Sequence, residues 1–120
     1  MTQPALLVVD AANVVGSVPD GWWRDRAGAT ARLRDALAAA YVLPEPYECV
    51  LVVEGAARGV PGIPGVRVVA APGSGDDAIV DLVQAEAGRP IIVVTADREL
   101  RDRVTALGAE VIGPRSVPRR

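Results

Sequence analysis

Five short apolar runs recur along the chain, and each is rich in β-branched side chains. The clearest are Ala5–Val9, Cys49–Val53 and Ile91–Val94. Val66–Ala70 is similar, whereas Ala109–Ile112 is shorter and weaker. Runs of this length and composition are typical of strands that are buried on both faces, as in a parallel sheet. The pattern therefore predicts four strands and a weaker fifth.

Between these runs, the spacing of the apolar positions changes to that of amphipathic helices. Ala27–Tyr41, Asp76–Ala87 and Glu99–Leu107 each place apolar side chains on one stripe. Gly108 follows the third segment and is a suitable helix stop. Strands that alternate with helices predict βαβ units with right-handed crossovers. We therefore predict a three-layer α/β/α domain with a mainly parallel sheet of four to five strands.

The remaining sequence features predict one domain in a reducing compartment. Residues 1–113 contain all of the predicted elements, and residues 114–120 form a basic C-terminal tail. No run approaches the length of about 18 apolar residues that a membrane span requires, so we expect no membrane contact. Cys49 is the only cysteine, which excludes a disulfide scaffold. The absence of a basic N-terminal segment disfavours a secretory signal, and we expect a cytoplasmic protein.

Composition restricts the chemistry that the domain can perform. The chain has no histidine, which excludes Ser-His and Cys-His catalytic groups and zinc sites that use imidazole. Its formal net charge of −2 argues against binding nucleic acid by charge alone. All 13 basic residues are arginine, a side chain that suits phosphate contacts. Polar chemistry must therefore come from carboxylates, arginines, hydroxyls and the backbone.

Acidic residues follow four of the predicted strands. Asp10 follows the first strand, with Asn13 three residues later, and Asp97 follows the fourth. Asp76 and Asp77 open the helix that comes after the third strand. Ligands of open α/β sheets bind at the carboxyl ends of the strands, so these side chains are expected at one edge. Glu54 follows the second strand and is a secondary candidate for the same edge, as are Asp81 and Glu99.

Carboxylates gathered at one edge repel one another unless a cation lies between them. Oxygen ligands without histidine or thiolate suit Mg²⁺ or Mn²⁺. Such an ion can orient a phosphodiester and make a bound water more nucleophilic. The alternative is that Asp76, Asp77 and Asp97 are only favourable charges at helix N-termini.

Three ordered segments resemble the PIN-like nuclease superfamily. Leu6–Gly16 is similar to the opening of its NYN domains, where a strand leads into Asp-x-x-Asn. Gly75–Val80 resembles a paired-aspartate helix start that bacterial 5′-nuclease domains also carry. Val93–Leu100 resembles their Thr-Ala-Asp-x-Asp-Leu segment, with Glu99 in the second acidic position. The resemblance implies a PIN-like fold and a metal-dependent ribonuclease activity, with Asn13 in a supporting role. The metal ligands that it implies are Asp10, Asp76, Asp77 and Asp97.

Aromatic and basic residues outside these motifs are candidates for nucleic-acid binding. Two adjacent tryptophans beside two arginines could stack bases and contact phosphates. Alternatively, both indoles close the core while the arginines pair with Asp20 and Asp25. A second pair of arginines shares a face of the helix after Asp97, where the alternative is a solvated surface. The candidate residues are Trp22, Trp23, Arg24, Arg26, Arg98 and Arg101.

The leading hypothesis is a Mg²⁺- or Mn²⁺-dependent phosphodiesterase that acts on RNA. One alternative is a non-catalytic RNA-binding or regulatory module with the same fold. Another is a phosphohydrolase of small nucleotides, which would use the same acids without an extended basic groove. A homodimer would supply a longer groove than one small domain offers.

Overall fold

The computed structural model of the protein describes residues 3–118, which form a five-stranded sheet with helices on both faces. All of the strand pairs are parallel, and the strand order is β3-β2-β1-β4-β5. The elements are β1 (Ala5–Asp10), α1 (Ala11–Gly16), α2 (Arg26–Ala39), β2 (Tyr47–Val53), β3 (Arg67–Ala70), α3 (Gly75–Ala85), β4 (Ile91–Val94), α4 (Arg98–Thr105) and β5 (Glu110–Ile112). Short 3₁₀ turns cover Trp22–Arg24, Gly55–Ala57 and Pro114–Ser116.

The central strand β1 separates two halves of the core. Leu7 and Val9 face the half that α1 and α2 cover, where Leu33 belongs to the cluster. Leu6 and Val8 face the opposite half, which α3 and α4 cover. This alternation is the two-residue period of a strand, and burial on both faces explains why β1 is apolar throughout its first five residues. The three-layer α/β fold predicted from the sequence is confirmed.

The register of the sheet aligns the carboxyl ends of its middle strands. Val9 of β1 lies opposite Leu51 of β2 and Val94 of β4. Asp10 is the last residue of β1, and Thr95 follows β4 directly. The order of the strands therefore places Asp10 between the ends of β2 and β4.

The observed elements differ from the predicted ones mainly at their ends. Ile91–Val94 matches the prediction in full, and the long helix ends at Ala39 instead of Tyr41. The short helix α1 was not predicted; its signal is Asp10, whose side chain accepts a hydrogen bond from the Asn13 amide as an N-cap.

The C-terminal segment packs on the domain. Pro114 begins a 3₁₀ turn and is buried, and Val117 joins the core half that contains Leu33. The folded unit thus extends into the segment that was predicted as a tail. Residues 119 and 120 lie outside the described range. Within that range, no helix is long and apolar enough to cross a membrane.

Candidate acidic site at the carboxyl edge of the sheet

Asp10 is the most buried carboxylate of the predicted site, with only 4% of its surface exposed. One carboxylate oxygen accepts a hydrogen bond from the Thr95 hydroxyl at 2.9 Å. The other oxygen accepts a hydrogen bond from the backbone amide of Asn13 at 3.4 Å, and Asp10 is in this way the N-cap of α1. Asp10 is thus held at the end of the central strand by one hydrogen bond from α1 and one from Thr95, directly after β4.

A small polar network fixes the loop between β4 and α4 against α1. The Asn13 side-chain oxygen accepts a hydrogen bond from the Ala96 amide at 2.8 Å. The Thr95 hydroxyl, besides donating to Asp10, accepts from the Asp97 amide at 3.1 Å. Asn13 therefore holds the backbone of the neighbouring loop, and its supporting role toward a ligand stays a prediction. The role of Thr95 was missed from the sequence, although Thr95 lies in the recognised motif.

The Asp10 carboxyl has an unusual proton affinity. Burial raises its pKa from 3.8 to about 6, against the opposing effect of the hydrogen bonds from Thr95 and Asn13. The negative charges of Asp76 and Glu54 raise this pKa further. Near neutral pH the group is mostly ionised, and its charge is held in a site that disfavours charge. A cation at this edge would relieve that cost.

Asp76 and Glu54 share the space in front of Asp10. Glu54 follows β2, and its Oε1 atom accepts a hydrogen bond from the Gly75 amide at 3.0 Å at the start of α3. A β-carbon at position 75 would lie against this carboxylate, so a larger residue there would require the Glu54 side chain to move. Partial burial raises the pKa of Asp76, as do the negative charges of Asp97 and Glu54, while Arg103 lowers it. These mutual effects indicate that the charges of these acids lie near one another at this edge.

Asp77 and the secondary acids lie further out. Asp77 is exposed, and its carboxylate forms an ion pair with Arg103 of α4 at 3.1 Å. Asp97 is half-buried and caps α4 by accepting a hydrogen bond from the Leu100 amide at 3.0 Å. Asp81 is exposed and has no hydrogen bond or ion pair within residues 3–118. Glu99 is exposed too, and its charge contributes to the raised pKa of Asp76.

The acids form an electrostatic cluster, but they do not converge on one point. Among residues 3–118, no group of three or more acidic or cysteine side chains is arranged to hold a metal ion. The donor set itself, carboxylates joined by the Asn13 amide and the Thr95 hydroxyl, fits a hard divalent cation. A metal site at this edge is therefore a proposal, supported by charge and by donor chemistry.

The tryptophan and arginine segment lies against α1, and its arginines pack on its indoles. Trp22 and Trp23 meet edge to face, with ring centroids 5.9 Å apart. The Arg26 guanidinium lies 5.2 Å from the centroid of the Trp22 ring, and that of Arg24 lies 6.0 Å from the Trp23 ring. Trp23 is 54% exposed, so the alternative in which both indoles close the core is wrong.

The pairing of these arginines with Asp20 and Asp25, which belonged to that alternative, is absent from the described part of the chain. Asp25 instead caps α2 by accepting a hydrogen bond from the Gly28 amide at 2.9 Å. Arg98 and Arg101 are exposed on α4, where their side chains form no ion pair within residues 3–118. All of these cations remain available to an anionic ligand.

The raised pKa of Asp10 makes a prediction about stability in the absence of metal. Because the folded-state pKa lies above the unfolded one, the folded protein binds more protons between about pH 4 and pH 6. Stability is therefore expected to rise as the pH falls, by about 1 kcal/mol between about pH 7.5 and pH 5 for Asp10 alone. The raised pKa of Asp76 acts in the same direction.

Urea unfolding in EDTA at the two pH values measures this effect. Asp10→Asn removes the titrating group and is expected to lose most of the gain at low pH. The interpretation fails if the variant shows the same increase in stability as the unmodified protein.

Comparison with known proteins adds information on the fold. No protein-family model matches the chain, and no curated protein matches it in sequence. Among solved structures, the match to a point mutant of Rae1 (YacP) from Bacillus subtilis has a TM-score of 0.59. The chain shares a fold with Rae1. The match covers 92% of this chain and 70% of the Rae1 chain, at 17% sequence identity. At that identity the likeness to Rae1 shows the architecture alone, and the role of each acid rests on the geometry described above.

Proposed function

We propose that the protein is a Mg²⁺- or Mn²⁺-dependent phosphodiesterase that cleaves RNA at the acidic edge of its sheet. The observation that carries this proposal is the buried, ionisable carboxylate of Asp10 at the end of the central strand, faced by Asp76 and Glu54. Ligand sites of parallel α/β sheets lie at this edge. The resemblance of the three acidic motifs to PIN-like nucleases supports the same assignment.

The roles of the acids follow from their surroundings. Asp10 and Asp97 would bind a metal ion together with Asp76, and Asn13 holds the Ala96 backbone beside them. A bound Mg²⁺ or Mn²⁺ would polarise the phosphodiester and lower the pKa of an attacking water. Thr95 fixes the orientation of the Asp10 carboxylate. Arg98 and Arg101 are the nearest unpaired cations in sequence to Asp97, and they would contact the phosphate backbone.

Asp76 and Asp77 offer a matched test, because they are adjacent and carry the same side chain. We expect Asp76→Asn to weaken Mn²⁺ binding by about tenfold or more, since removing one of its few charged ligands costs about 1.4 kcal/mol or more. Asp77→Asn is expected to change it less than about threefold, because Asp77 is exposed and paired with Arg103. Calorimetric titration with Mn²⁺ measures both. Equal losses in the two variants would place Asp77 among the ligands and contradict this assignment.

Substrate choice separates the proposal from its two alternatives. Cleavage of short single-stranded RNA in Mn²⁺, with little hydrolysis of free nucleotides, is the expected result. Hydrolysis of free nucleotides alone would favour the small-nucleotide phosphohydrolase. RNA binding that survives EDTA, without cleavage in Mn²⁺, would favour the non-catalytic module. Sedimentation of the protein with and without RNA would test the predicted homodimer.

A further inference from the structure

A small pocket lies beside the acidic edge, between α1, α2 and the turn that follows β2. Its volume is about 120 Å³, whereas a water molecule requires at least about 10 Å³ on the same measure. The pocket therefore has room for a ring-sized group. The lining residues that matter for its chemistry are Ala11, Val15, Trp22, Arg26, Thr30 and Glu54.

Thr30 presents an unpaired hydroxyl to this pocket. The residue is only 3% exposed, yet its hydroxyl makes no hydrogen bond to any residue within 3–118. Thr105 shows the usual arrangement on a helix, where the hydroxyl donates back to the Arg101 carbonyl at 2.8 Å. No side-chain oxygen or nitrogen of residues 3–118 is both fully buried and without a partner, so the Thr30 hydroxyl is reached from the pocket and can bond to a ligand there.

Trp22 and Arg26 also line the pocket. The Arg26 guanidinium lies over the Trp22 ring at 5.2 Å, and it forms no hydrogen bond or ion pair within the described residues. Trp22 is half-buried, so part of its indole remains open to the pocket. An aromatic surface beside an unpaired guanidinium suits a flat ring that is attached to a phosphate.

Glu54 joins the pocket to the acidic site. Its Oε1 atom is occupied by the Gly75 amide, while Oε2 makes no hydrogen bond within residues 3–118. The same carboxylate is close enough to influence the pKa of Asp10 and of Asp76. A group held in the pocket through Glu54 would therefore lie next to the acids that are proposed to bind metal.

We propose that this pocket holds one unpaired base of the RNA substrate. The base would contact the Trp22 ring, while its polar edge bonds to the Thr30 hydroxyl and donates an N–H to Glu54 Oε2. Arg26 would meet the phosphate that is attached to this nucleotide. The inference rests on the proposed function for placing the base beside the cleaved bond, whereas base binding itself requires no metal and no catalysis.

Tryptophan fluorescence tests this proposal in EDTA, where no cleavage occurs. Trp22 and Trp23 are the only tryptophans, so Trp23→Phe leaves Trp22 as the single reporter. Short oligouridylate and oligoadenylate are titrated against this variant, with UMP and AMP as separate arms. Saturable quenching by RNA is expected. Thr30→Val should weaken RNA binding about threefold to tenfold through the lost hydrogen bond.

Thermal unfolding of the variants distinguishes a loss of RNA binding from a folding defect. Because Thr30→Val keeps the shape of the side chain and removes no hydrogen bond within residues 3–118, the free variant should unfold within about 2 °C of the parent protein. The fluorescence anisotropy of labelled RNA measures binding in variants without a tryptophan reporter. Trp22→Ala should weaken RNA binding about tenfold or more, whereas Trp23→Ala should change it little. Wild-type affinity in both Thr30→Val and Trp22→Ala would overturn the proposal.

The remaining outcomes separate the pocket from the enzyme. Base binding in EDTA that depends on Thr30 and Trp22 supports the pocket even if no RNA is cleaved in Mn²⁺. The proposed nuclease function can therefore be refuted while the base-binding pocket is retained. If UMP or AMP binds as tightly as the oligonucleotides, the occupant is a free nucleotide, and the RNA assignment is overturned.

Discussion

Replacing Asp10 with asparagine is expected to abolish Mn²⁺-dependent RNA cleavage while the protein remains folded. The carboxylate is the buried anchor of the acidic cluster, and asparagine removes the charge that a metal ion would neutralise. A bound metal contributes several kcal/mol to stabilising the transition state, so a rate loss of about a thousandfold or more is expected. Cleavage of labelled single-stranded RNA in Mn²⁺ measures this loss.

The Asp10→Asn variant should still fold, because asparagine can keep the hydrogen bond to Thr95. The asparagine oxygen still accepts the hydrogen bond from the Thr95 hydroxyl, and only the longer 3.4 Å bond from the Asn13 amide is lost. Removal of the buried charge offsets this loss, so the unfolding temperature in EDTA near neutral pH should stay within about 5 °C. The increase in unfolding temperature on adding Mn²⁺ should disappear.

A matched control is available on the opposite side of the domain from α3 and α4. Asp35 lies on α2, is exposed, and pairs with Arg34. Asp35→Asn makes the same chemical change and should leave cleavage and the response to Mn²⁺ unchanged. An Asp10→Asn variant that cleaves RNA at the wild-type rate would refute the proposed mechanism.

The fold was predictable because its strands are buried on both faces. Ile91–Val94 has no polar residue, and such a run has few alternatives to a central parallel strand. The helices followed from their apolar stripes, as with Ile79 and Val83 on α3. The short helix α1 escaped prediction because its residues, including Val14 and Val15, also suit a strand, and only the capping role of Asp10 distinguishes the two.

The candidate site was predictable only in part, since a sequence pattern does not give the order of the strands. Asp10 and Thr95 are 85 positions apart, and they meet because β4 pairs directly with β1. The difference between Asp76 and Asp77 is of another kind. Neighbouring positions on a helix point about 100° apart, so one acid faces the cluster while the other reaches Arg103. Side-chain direction of this kind requires coordinates.

The arrangement at the edge links stability to function. A buried carboxylate whose pKa is raised to about 6 reduces stability near neutral pH, and the neighbouring acids increase that cost. Sites that hold such charges are candidates for function, because a structural role would be served better by a neutral group. Asp10 is ionised near neutral pH, which is the state that a divalent cation requires of its ligand.

Replacing Thr95 with valine is expected to reduce RNA cleavage by about a hundredfold without removing any acid. Thr95 is a positioning residue, because its hydroxyl donates to Asp10 and accepts from the Asp97 amide. Valine has nearly the same shape but makes neither bond, so the Asp10 carboxylate loses its fixed orientation. Losses of about 10–100-fold are typical when the support of a metal ligand is removed.

The pH profile of the Thr95→Val variant distinguishes this role from general destabilisation. The hydrogen bond from Thr95 lowers the pKa of Asp10, so its removal should raise that pKa above about 6. The acid limb of the activity profile should therefore move to higher pH, because Asp10 must be ionised to act. Thr95→Ser retains the hydroxyl and should restore both the rate and the profile. If Thr95→Val loses activity equally at every pH, the hydroxyl does not act through Asp10, and its contribution is to packing alone.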